Sequence, residues 1–158
     1  MSAILSAEVI DLLNSQETAK ILATVDEHGH PHAVVKKSLH NGGDGNIHLL
    51  EILESSHTGR NLLGALWFGR KVSISLLGKE GRQVQIKGKP LKCHISGPLF
   101  QRNYVKLRER LGDVDLAAVW VIEPEEVIDA DFAERKARQD KERPTLIHLD
   151  RLLKETAV

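Results

Sequence analysis

The run Ser56-His57-Thr58-Gly59-Arg60-Asn61-Leu62 sets two hydroxyls, an imidazole and a guanidinium at the start of a short apolar segment. If that segment is helical, its first backbone N–H groups lack intrahelical acceptors and its dipole adds partial positive charge, so the run could hold a phosphate. Ser56 or Thr58 could equally be an ordinary N-cap. Two alternating runs follow, Val72-Ser73-Ile74-Ser75 and Gln83-Val84-Gln85-Ile86. Alternation puts Ser73, Ser75, Gln83 and Gln85 on one face and Val72, Ile74, Val84 and Ile86 on the other, which describes strands with one core face and one polar face. The Gln83 amide can both donate and accept, so it suits a ligand edge that presents both functions, or plain solvent.

Other reactive constellations find less support. His28, His30 and His32 alternate, but Gly29 and Pro31 make that stretch a turn, which argues against a metal or haem site. His40, His48, His94 and His148 have no ligand spacing, and nothing singles out a Ser-His-Asp nucleophile. Cys93 is the only cysteine, which rules out an intramolecular disulfide and a multi-thiolate zinc site. Lys36 and Lys37 are adjacent, a pattern common in edge protection of strands. No catalytic side chain and no metal ligand is assigned.

The elements that position these residues begin with a helix from Ser6 through about Asn14. Residues 19–25 predict a strand, 26–31 a turn, 32–39 its partner and 46–50 a third strand after the glycine-rich turn 41–45. Strands are then expected at 71–77 and from 83 to 95, joined through the tight turn 78–81. Pro98 opens a helix to Leu111 that Gly112 ends. Residues 116–123 and 126–131 read as two strands separated at Pro124. About seven strands with two inserted helices fit a mainly β fold, an antiparallel barrel plus helices. The charged run 134–143 predicts a solvated helix or arm, and 146–153 is amphipathic.

The chain has 158 residues, enough for one domain with a real core. It is 41% hydrophobic but only 4% aromatic, so the core must be aliphatic. Its 22 basic residues balance 22 acidic ones, which argues against nucleic acid as a partner while leaving room for local charged patches. No apolar run approaches membrane-spanning length and the start lacks a basic leader, so a cytoplasmic location is expected and no membrane partner.

The ordered set of runs 56–62, Val72-Ser73-Ile74-Ser75 and Arg82-Gln83-Val84-Gln85-Ile86-Lys87-Gly88 resembles the FMN-binding split-barrel family of pyridoxamine 5'-phosphate oxidase and its small relatives. The likeness spans roughly residues 15–131 in element order. It implies an antiparallel split β-barrel over residues 1–131, with 132–158 as a C-terminal helical extension or arm. It also implies FMN held at the interface of a homodimer and an oxidoreductase of unknown substrate. By the same resemblance Val35, Lys36, Lys37, Ser38, Leu50 and Glu51 line the isoalloxazine, His57 and Thr58 hold the phosphate with Asn61 one turn on, and Gln83 contacts the flavin. His57-Thr58 stands where the family usually carries a basic pair, and the family's Arg-rich C-terminus is missing, which argues against pyridoxamine phosphate as substrate. The alternatives are a non-enzymatic flavin-binding or redox-responsive module, or a barrel that handles haem or deazaflavin.

Overall fold

The computed structural model describes residues 2–146. The chain runs α1 (Ala7–Asn14), β1 (Ala19–Val25), β2 (Pro31–Val35), β3 (His40–Asn41), β4 (Ile47–Glu51), α2 (His57–Phe68), β5 (Val72–Leu77), β6 (Gln83–His94), α3 (Pro98–Leu111), β7 (Ala118–Asp129) and α4 (Phe132–Glu142). All pairings are antiparallel, in the order β2-β1-β5-β6-β7-β4-β3. The result is the seven-stranded split barrel with helices that the sequence predicts.

Local chemistry explains most boundaries. The Ser6 hydroxyl accepts from the Val9 N–H, and Val9 and Leu13 of α1 are buried. The Asp26 carboxylate accepts from the N–H groups of His28 and His30 at 2.9 and 2.8 Å, closing the β1–β2 hairpin. A 3-10 turn at Lys79–Gly81 joins β5 to β6, with Glu80 and Gly81 both at positive φ. Pro98 opens α3 and Gly112 ends it, as expected.

Two expectations are corrected. The strand expected over 32–39 stops at Val35. The Lys36 N–H donates back to the Lys20 carbonyl and the Leu39 N–H to the Lys36 carbonyl, so 36–39 forms a turn before β3. The strands expected at 116–123 and 126–131 are one strand, β7, which passes through Pro124 on a bulge. Gly88 faces Pro124 and Lys87 faces Glu126, so Glu125 is the extra residue. A Cβ on Gly88 would lie 2.3 Å from the Glu123 carbonyl oxygen, and glycine is what lets the two backbones approach.

The main core is aliphatic and includes Leu22, Leu39, Leu49, Leu62, Ile74, Ile86 and Ile122. A smaller cluster of Leu107, Leu116 and Val119 seats α3 near Leu50. α4 is solvent-facing, with no buried residue. The amphipathic stretch expected at 146–153 lies outside the described residues except for Leu146.

Candidate functional site

A groove of about 670 Å³ opens where the end of β2 and the 36–38 turn meet the end of β4 and the last turn of α3. Val35, Lys36, Lys37, Ser38, Leu50 and Glu51 all line it, together with Gln16, Ile52 and Leu107, Arg110 and Leu111 of α3. The Ser38 hydroxyl fixes the turn to β4, donating to the Leu50 carbonyl at 2.8 Å and accepting from the Leu50 N–H at 3.1 Å. A turn held by both groups of one strand residue has little freedom, so the groove wall is set by the fold.

Glu51 joins this wall to α2. Its buried carboxylate accepts from the Lys36 ammonium at 3.3 Å and the Ser56 hydroxyl at 2.9 Å. Ser56 in turn accepts from the Gly59 N–H at 2.9 Å and is the N-cap of α2. Lys36 is therefore neutralised within the wall. Lys37 and Arg110 have no carboxylate within 4 Å among the described residues and leave net positive charge at the groove.

The first turn of α2 divides by direction. His57 and Arg60 are exposed, and the His57 ring lies 5.7 Å from that of His32 on β2. Thr58 is 2% exposed and Asn61 9%, and the Asn61 amide donates to the Thr24 hydroxyl at 3.0 Å. Gln83 stands apart. It starts β6, three strands from β2, in the row Gln83, Leu77, Ala19, and it is not part of the groove lining.

The α3 wall was not anticipated. Nothing local in the helix sequence ties its Leu107–Leu111 face to residues 36–38. Lys20 was missed as well. It sits in phase with Leu22 and Thr24 on the inner face of β1, where it is 3% exposed and its ammonium donates to the Leu39 carbonyl at 2.9 Å. Burial pushes its pKa down. Burial also lowers the pKa of His40; the Ser38 carbonyl at 2.7 Å opposes this, and His48, Lys20 and Lys106 reinforce it. Among the described residues no group of three His, Cys, Asp or Glu side chains could hold a metal, and no helix is long and apolar enough to cross a membrane.

No family model and no curated protein matches the sequence. Solved structures do match. HupZ from Group A Streptococcus aligns at 21% identity and TM-score 0.69, over 82% of this chain and 96% of that one. A Lactobacillus delbrueckii protein provisionally assigned as a pyridoxamine 5'-phosphate oxidase aligns at 20% and 0.62, over 79% and 93%. An FMN-binding protein from Syntrophomonas wolfei aligns at 16% and 0.62, over 77% and 82%. HutZ, described as a heme storage protein of Vibrio cholerae, aligns at 17% and 0.56, over 80% and 95%.

Proposed function

The chain has the split-barrel fold seen in pyridoxamine 5'-phosphate oxidase-like proteins, and from that fold and its groove we propose an FMN-binding flavoprotein that acts as an oxidoreductase, with the cofactor at a homodimer interface. The observation that carries this reading is the convergence of Val35, Lys36, Lys37, Ser38, Leu50 and Glu51 on one groove. Its chemistry fits a flat heteroaromatic group with an anionic edge. Val35, Leu50, Ile52 and Leu111 supply apolar contact, while Lys37 and Arg110 supply charge.

Bound FMN would supply hydride or single-electron transfer, and the protein would orient and tune it. Lys37 favours negative charge on the ring, and Lys36, already tied to Glu51, positions the wall. At the helix start, His57 and Arg60 are the groups exposed to a phosphate. Asn61 acts by fixing the helix, since it is bonded to Thr24, and Thr58 is buried. Glu51 places negative charge beside the same turn, so an added positive charge at position 57 should matter there.

The outer face of β2, β1 and β5 supports a dimer, since Val35 is 59% and Leu77 44% exposed, with Ala19 and Ala33 between and beside them. Calorimetry tests the site. Lys37→Met should weaken FMN binding about tenfold, the loss expected of one charge-assisted contact, and His57→Arg should strengthen it. Equal FMN affinity in wild type and Lys37→Met would remove the groove from consideration. The neighbouring His32 and His57 rings favour haem as a second reading. A Soret band on reconstitution, with no response to FMN, would select it.

A further inference from the structure

We infer that a second cavity, behind the 36–39 turn, is a binding site for a compact multivalent oxyanion of pyrophosphate or tricarboxylate size. It has a volume of about 370 Å³ and lies between the start of β1, the 36–40 segment and α3. Lys20, Lys37, Lys106, Arg110 and His40 line it, and among the described residues no aspartate or glutamate does. In a chain with equal numbers of acidic and basic residues, such one-sided lining is a local arrangement of charge and not a consequence of composition.

Lys20 is the observation that separates this cavity from an ordinary basic surface. Its ammonium is buried, and the only acceptors it has among the described residues are the carbonyls of Leu39 at 2.9 Å and Lys37 at 3.5 Å. No carboxylate lies within 4 Å of it among the described residues. Buried charges are normally paired, because carbonyl dipoles replace only part of the lost hydration. Two carbonyls occupy two of its three N–H groups. An oxyanion in the cavity would supply both the third acceptor and the missing charge.

The volume of about 370 Å³ suits a small ligand. Gln16, Lys37, Ser38, Leu50, Leu107 and Arg110 line both this cavity and the groove, so an anion bound here would sit against the wall of the proposed flavin site. The inference stands on the cavity's own charges and does not require that flavin bind.

Isothermal titration calorimetry of the purified full chain with inorganic pyrophosphate, at neutral pH and low ionic strength, is the test. One-to-one binding is expected, weakened about tenfold by Lys106→Glu and to a similar or greater extent by Lys20→Met. His57→Ala should leave it unchanged, which distinguishes this cavity from the helix start. Lys106 is exposed on α3, so its variant folds irrespective of what Lys20→Met does to the turn. Absence of binding at millimolar pyrophosphate, or equal affinity in wild type and Lys106→Glu, overturns the inference. Because the probe contains no flavin, a chain that binds pyrophosphate but not FMN would sink the flavin reading alone.

Discussion

Asn61 shows how one side chain changes meaning once its surroundings are known. In the sequence it lies one turn into a helix whose start could hold phosphate. In the structure its amide is buried against Thr24. Thr24→Val should therefore strand a buried amide and lower stability by about 1–3 kcal/mol in urea unfolding. Adding Asn61→Leu should recover part of that loss, because the pair is coupled; strictly additive losses would show that the bond contributes nothing. His40 yields a pH prediction. Its folded-state pKa is lowered, chiefly by burial, so on acidification the unfolded chain takes up this proton first. Its contribution is intact above the unfolded value of about 6.5 and is lost as pH falls toward the folded one. His40→Gln should flatten that part of the acid limb, read as urea midpoints across the range. Parallel profiles for the two proteins would contradict the assignment.

Among the elements, what could be read in the sequence was whatever repeats locally. Period-two alternation located β1, β5 and β6, and Ser6, Pro98 and Gly112 marked helix ends, because a cap or a strand face is decided within a few residues. The exceptions were decided by distant partners. β7 runs through Pro124 because Gly88 on β6 admits the bulge, a fact that neither segment carries alone. Gly88→Ala should cost about 1–3 kcal/mol, as overpacking against fixed backbone does, measured by denaturant midpoint; an unchanged midpoint would mean that the strands can separate there freely. β2 stops short because Lys20 holds the following turn, and an inward lysine on β1 is not what alternation leads one to expect. Ser56→Ala should cost about 0.5–2 kcal/mol through loss of the α2 cap and should also deprive Glu51 of a donor.

At the scale of the molecule, the groove is a tertiary object. Residues 35–38 and 50–51 entered the candidate site through a resemblance in the order of elements, and no local pattern marked them. The α3 wall that completes the groove carried no signal at all, since helix periodicity identifies a buried face but not the element it packs upon. The outer face of β2, β1 and β5 leads to an expected dimer in sedimentation. Ala33→Glu and Leu77→Glu, which place charge on that face, should shift the chain toward monomer; a wild-type monomer that still binds FMN would exclude a shared site.

The proposed flavin site is the groove between the 36–38 turn, β4 and α3. The most direct measurement is the absorption spectrum of the natively purified protein, with any released chromophore identified by mass and the apoprotein then titrated with FMN. Oxidised-flavin absorption, the mass of FMN and saturable rebinding that weakens in Lys37→Met are the expected results. A colourless protein whose apo form ignores added FMN would contradict this proposal.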